Sequence, residues 1–120
     1  MKRDLELVRQ MLSHREDIML DVEVFGSDEE DFISNTAYQI STAFSIQYMG
    51  GCAKGLSAEL RERHPEVGWR EMIRMRDFIA HNYGNVDLSI QWDTVKNDIP
   101  ALKNALMKIE SLPSSDGWNP

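Results

Sequence analysis

The sequence contains few of the residues on which disulfide-linked, metal-binding or fibrous proteins depend. A single cysteine, Cys52, cannot form an internal disulfide and fits a reducing compartment. Seven glycines and four prolines in 120 residues, with 42% apolar and 28% charged residues, exclude collagen-like, low-complexity and disordered chains. The three histidines, His14, His64 and His81, are far apart, so with one cysteine they predict no metal site. The length is that of one domain.

The sequence also lacks an apolar run that suits a lipid bilayer. Residues 32–53 carry no charge and are long enough to span a membrane, but eight of them are Ser, Thr, Asn or Gln. That polarity suits a helix buried among other helices better than one in lipid. The first ten residues are charged and helical in pattern, so we expect no signal peptide and a cytoplasmic protein.

The net charge of −7 is unevenly distributed along the chain. Residues 1–35 carry −6 and residues 77–120 carry −3, whereas residues 36–76 carry +2. Because an acidic protein does not attract nucleic acid as a whole, nucleic-acid binding would need a local basic patch. Such basic residues also suit a solvated helix face, so the patch alone indicates no function. Its only candidates are Arg61, Arg63, His64, Arg70, Arg74 and Arg76.

Apolar residues recur every three or four positions along the chain, which predicts helices throughout. No alternating strand pattern, hairpin signal or internal repeat is present. We therefore predict an all-α, up-and-down bundle of about five helices over residues 1–112, followed by a flexible tail over 113–120.

Capping and helix-breaking residues predict where these five helices begin and end. Gly26 accepts the left-handed turn that ends a helix, and Ser27 and Ser57 can each cap the start of one. The predicted helices run to Phe25, from Ser27 with a bend at Gly50-Gly51, from Ser57 to Arg63, from Trp69 to Tyr83, and from near Asp87 with a kink or restart at Pro100.

The fourth predicted helix places an arginine in an apolar stripe. On an ideal helix Arg76 lies on the side of Trp69, Met72 and Ile79, where a lone charge is costly. Two interpretations are open: a buried ion pair with a carboxylate on a neighbouring helix, or an anion site that suits phosphate. Tyr83 lies almost on the same line, but His81 lies about 140° away from Arg76. Either the helix unwinds near His81, or a second subunit completes the site.

Residues 76–83 match the Arg-x4-His-x-Tyr motif of the HEPN superfamily through Arg76, His81 and Tyr83. Residues 60–102, which surround the motif, resemble the HepT-like branch of that superfamily. These include His64-Pro65 and Trp69 upstream, and Val86-Asp87, Trp92 and Asp98-Ile99-Pro100 downstream. The resemblance implies an all-helical homodimer in which the motifs of two subunits face one cleft. It also implies a metal-independent RNA endonuclease that acts as the toxin of a type VII-like toxin–antitoxin pair.

The resemblance further implies a role for each motif residue. Arg76 would hold the scissile phosphate, and His81 would be the general acid or base for attack by the ribose 2′-hydroxyl. Tyr83 would help to build the site and accept AMP from a nucleotidyltransferase antitoxin, and Asn82 would support the site by hydrogen bonding. Arg70 and Arg74 would contact the RNA, a transfer or messenger RNA. No cofactor, membrane or DNA partner is implied.

The sequence departs from the HepT-like pattern at two positions. HepT-like proteins commonly carry Ile-Gly-Glu-Ala where this chain has Met49-Gly50-Gly51-Cys52, so a carboxylate is missing at Gly51. Arg74 stands where a glycine is frequent. The missing acid leaves open an alternative, a catalytically silent HEPN module that binds a nucleotide or a nucleotidyltransferase partner. A structural dimer in which Arg76 is only an ion pair would not require His81 and Tyr83 at these spacings.

Overall fold

The computed structural model describes residues 2–81 and 87–111, for Lys2 its helical backbone only. The described residues form helices and no strand, which confirms the all-α prediction. Seven α-helices and one π-helical segment occur in them, in the following order. They are α1 (Lys2–Phe25), α2 (Glu29–Ile33), α3 (Thr36–Gly55), α4 (Ala58–Arg63), α5 (Trp69–His81), α6 (Leu88–Asp93), the π-helical segment (Thr94–Asp98) and α7 (Ile99–Ser111).

Most of the predicted helix boundaries are confirmed. Gly26 follows α1 with a φ of 124°, the left-handed region that glycine accepts without strain. Ser57 caps α4 by accepting a hydrogen bond from the Leu60 amide at 3.1 Å, and Asp87 caps α6 in the same way. The start of the second helix is displaced by one residue, because Asp28 rather than Ser27 is the N-cap.

The second predicted helix is wrong in one respect, because it is two helices. Asn35 interrupts it, with its side-chain oxygen accepting a hydrogen bond from the Tyr38 amide at 3.1 Å. This cap starts a new helix, and residues 34–35 are left outside both. Beyond that point α3 continues through Gly50 and Gly51, where the sequence predicted a bend.

The kink or restart predicted at Pro100 corresponds to a change of helix type, because α7 begins at Ile99 directly after the π-helical segment. In that segment the Ile99 amide donates to the Thr94 carbonyl five residues back. This wider turn changes the pattern of backbone hydrogen bonds next to the position where proline has no N–H to donate. The buried guanidinium of Arg15 then binds the chain there, with Nε donating to the Ile99 carbonyl at 3.1 Å and Nη2 to that of Pro100 at 3.2 Å.

The core lies along α3, which packs on α1 on one side and on α5 on the other, while α7 packs on α1. One cluster centres on Phe32, Tyr38 and Trp92, and another on Val8, Met11 and the end of α3. The described residues contain no helix that is both long and apolar enough to cross a membrane. The predicted site residues Asn82 and Tyr83, and the predicted tail 113–120, lie outside the described residues.

Candidate active site

The close approach of α3 and α5 positions the predicted arginine. A Cβ atom added at Gly50 would lie 2.2 Å from the Cβ of Arg76 and 3.0 Å from the backbone oxygen of Met72. Only a residue without a side chain therefore allows the two helices this contact. The Arg76 side chain therefore extends from α5 directly over the backbone of α3.

Arg76 lines an open groove of about 450 Å³ on the outer surface of α1, α3 and α5. Its side chain is 35% exposed, so the guanidinium is reached by solvent while the first carbons of the side chain pack on Gly50. The groove has polar and aromatic walls. The other lining residues are Leu7, Gln10, Phe44, Gln47, Tyr48, Gly51 and Cys52.

The carboxylate beside Arg76 comes from its own helix rather than from a neighbouring one. Arg76 Nη1 donates to Asp77 Oδ1 at 2.8 Å. This hydrogen bond, with smaller effects from the charges of Lys54, Arg76 and His81, lowers the pKa of Asp77 below its ordinary value. Lys54 at the end of α3 and His81 at the end of α5 thus lie close enough to act on the same carboxylate.

Gly51 leaves space in this groove. A Cβ atom added there would meet nothing within 4 Å. The position of the carboxylate that the sequence lacks is therefore open volume on the wall that Arg76 shares. Asp77 is the carboxylate that instead holds the guanidinium in place.

Arg74 lies on a different surface from Arg76. It lines a cleft of about 580 Å³ between α5 and the last helices, with apolar walls that include Met75, Phe78 and Leu102. Arg70 is exposed near the start of α5, six residues before Arg76 and hence about 9 Å along the helix axis. Within one chain the structure therefore places Arg76 against Asp77, on which the charges of Lys54 and His81 also act, but leaves Arg74 on the other side of α5.

Several residues in or near the groove were not predicted from the sequence. Lys54, whose charge acts on Asp77, is the first charge after the uncharged segment 32–53, and that position was the one available signal. Tyr48 is 47% exposed although it lies in the uncharged segment, and its ring stacks on His14 with a centroid distance of 4.2 Å. Gln10 belongs to α1, so only the packing of α1 on α3 places it beside Gln47.

Neither metal binding nor thiol chemistry is supported by the described side chains. Among them, no group of three His, Cys, Asp or Glu residues could hold a metal ion. Cys52 is buried, and burial raises the pKa of its thiol, which keeps it in the less reactive protonated form. Its Sγ contacts the Gln10 Oε1 at 3.6 Å.

Comparison with known proteins finds similarity along most of the chain. The sequence profile of a family described as ribonuclease HepT-like matches residues 2–109. A protein of Thermococcus cleftensis named "Probable ribonuclease HepT" is 39% identical over 80 residues, which are 67% of this chain and 73% of that protein. A Methanocaldococcus jannaschii protein named as a "Putative RNase" is 31% identical over 109 residues, 90% of this chain and 92% of its own. No solved structure matches.

Proposed function

Because the chain belongs to the ribonuclease HepT-like family, we propose that it is the toxin of a type VII-like toxin–antitoxin pair and cleaves RNA without a metal ion. The substrate is a transfer or messenger RNA. The reaction is attack of a ribose 2′-hydroxyl on the adjacent phosphate, with departure of the 5′-oxygen of the next nucleotide. Arg76 binds the phosphate and His81 transfers a proton, while Asn82 and Tyr83 complete the motif.

The open groove that holds Arg76 is the observation that supports this proposal most strongly. An arginine side chain that is 35% exposed and fixed by Asp77 can receive a phosphate without moving another residue away. A developing negative charge on the phosphate is stabilised best by donors that are already in place. The chain is acidic overall, so this local basic group supplies the attraction that the net charge does not.

We propose that two chains form the working enzyme through the outer side of the α1–α3 pair. Leu20 and Val24 of α1 are 56% and 66% exposed, and Ile40 of α3 is 52% exposed. The Ser41 hydroxyl donates to Asp21 at 2.6 Å, which places these apolar side chains on adjoining helices. An exposed apolar face of this kind favours self-association.

We further propose that AMP addition to Tyr83 by a nucleotidyltransferase antitoxin neutralises the enzyme. Tyr83 follows Arg76 by seven residues and comes two residues after His81. An added AMP would bring a phosphate and a large base to a residue only two positions after His81. Its negative charge would repel the RNA phosphates and compete for the cations around Asp77.

One observation favours a second candidate function, a catalytically silent module that binds a nucleotide or the nucleotidyltransferase. The groove at Gly51 lacks the carboxylate that HepT-like proteins commonly carry, so a nucleotide could bind at Arg76 without reacting. The experiment below distinguishes the two functions.

Cleavage of total cellular RNA in EDTA tests the proposed activity. The purified chain is first shown by intact mass to carry no AMP and by light scattering to be dimeric. We expect it to cleave RNA, and we expect His81→Ala to be at least about 100-fold slower because the proton-transfer group is missing. His64→Ala, which changes a histidine outside the motif, is the matched control and should cleave normally. Absence of cleavage by the unmodified dimer would leave the binding module as the function.

Lys54 is expected to contribute to RNA affinity through one phosphate contact. In the non-cleaving His81→Ala background, Lys54→Ala should weaken RNA binding a few-fold at low salt. It should also reduce the slope of log affinity against log salt by about 0.7 to 0.9, as expected for one lost contact. Lys103→Ala, which removes an exposed lysine from α7, is the control and should leave the slope unchanged. Equal slopes for the parent and Lys54→Ala would exclude this contact.

A further inference from the structure

The groove beside Arg76 contains the elements of a binding site for one nucleotide, beyond the phosphate contact of the proposed reaction. It combines a cation, an exposed aromatic ring and two side-chain amides within one space of about 450 Å³. That volume lies within the range of small-molecule sites, roughly 300 to 1,000 Å³.

Tyr48 provides a rigid aromatic surface in this groove. One side of its ring stacks on His14, with the ring planes 29° apart and the centroids 4.2 Å apart. Phe44 borders the same ring at 5.9 Å, and Tyr48 still remains 47% exposed. Since the ring is held by His14 before any ligand arrives, stacking a base on it costs little side-chain entropy.

Gln10 and Gln47 provide hydrogen-bonding groups on the same walls. Both line the groove, and the Gln10 side chain is held by the thiol of Cys52, which donates to its Oε1 at 3.6 Å. A glutamine amide has both a donor and an acceptor, as the edge of a base does. Gly51 adds no side chain between these amides and Arg76.

We propose that this groove binds one nucleotide of the RNA and selects its base. The phosphate binds the Arg76 guanidinium, and the base stacks on the Tyr48 ring. The Gln10 and Gln47 amides form hydrogen bonds with the polar edge of the base. This inference rests on the proposed function for its link to cleavage, but binding of a free nucleotide tests it separately. Tyr48 acts here as a positioning residue for substrate binding and takes no part in proton transfer.

The test is a calorimetric titration of the His81→Ala dimer. The ligands are the four nucleoside 5′-monophosphates and ribose 5-phosphate. We expect at least one nucleotide to bind about tenfold or more tightly than ribose 5-phosphate, because stacking adds to the phosphate contact. Tyr48→Ala should bring all five ligands to similar affinity, whereas Tyr48→Phe, which keeps the ring, should preserve the difference. Gln10→Ala and Gln47→Ala should narrow the differences among the four bases.

The second measurement is the kinetics of RNA cleavage by chains that keep His81. Tyr48→Ala should raise KM for RNA by about tenfold and leave kcat within twofold, and Tyr48→Phe should restore KM. Equal affinity for ribose 5-phosphate and all four nucleotides in the folded dimer would overturn the inference, even if RNA is cleaved. Base-dependent binding by a chain that cleaves no RNA would uphold the nucleotide site and overturn the nuclease.

Discussion

Arg76→Ala is expected to lower RNA cleavage by about 100- to 1,000-fold, the size of effect seen when a preorganised donor to a developing negative charge is removed. The loss should occur in kcat as well as in kcat/KM, because the guanidinium binds the phosphate more strongly as charge develops on it. Arg76 is suited to this role because it is partly exposed in its groove and fixed by Asp77.

Arg74→Ala is the matched control for this prediction. It removes the same charge from the same helix, but Arg74 lines the other cleft. A contact to RNA from there adds affinity only, so we expect an effect of about threefold or less. Circular dichroism and light scattering should show both variants to be folded dimers. Equal effects of the two substitutions would show that Arg76 supplies general charge and no specific phosphate contact.

Gly50→Ala is expected to destabilise the protein by about 2 kcal/mol or more, since overpacking commonly costs 1 to 3 kcal/mol. The added carbon would meet the Cβ of Arg76 at 2.2 Å, and that atom cannot move unless α5 moves with it. Chemical denaturation measures the loss of stability. RNA cleavage should fall as well, because α5 must shift away from α3 and take Arg76 with it.

Gly51→Ala provides the control one residue along the same helix. A Cβ there meets nothing within 4 Å. Alanine is favoured over glycine in a helix by about 0.5 to 1 kcal/mol, so this variant should be as stable as the parent or more so. If Gly50→Ala were as stable as Gly51→Ala, the close contact of α3 with α5 would not be what positions Arg76.

The positions of the helices were largely predictable because their signals are local. Gly26, Ser57 and Asp87 each determine a helix end through their own backbone or side chain, and the structure confirms all three. Asn35 was missed because an uncharged segment shows little contrast between its faces, and the cap that divides it is one polar residue among several. Pro100 indicated a kink or restart, and α7 does begin at Ile99, but the π-helical form of the preceding turn has no local signal in the sequence.

The candidate site was predictable only where its residues share one helix. Arg76 and His81 could be identified on α5 from spacing and from the resemblance to a known motif. The surroundings of Arg76 depend on α1 and α3, so Gln10, Tyr48 and Lys54 could not be placed there from their positions in the sequence. The helical wheel left two interpretations of Arg76 open, and the ion pair with a neighbouring helix is not the one formed, because Arg76 donates to Asp77, the next residue of its own helix.

The most direct test of the proposed nuclease is cleavage in EDTA of one short RNA and of the same RNA with a single 2′-deoxynucleotide at the mapped cleavage position. We expect the unmodified dimer to cut the first RNA, to leave a 2′,3′-cyclic phosphate, and to fail to cut the second at that position. The reason is that the 2′-hydroxyl is the attacking group, while Arg76 binds the phosphate and His81 transfers the proton. Cleavage of both RNAs at the same position would contradict the proposed mechanism, because another nucleophile would then be responsible.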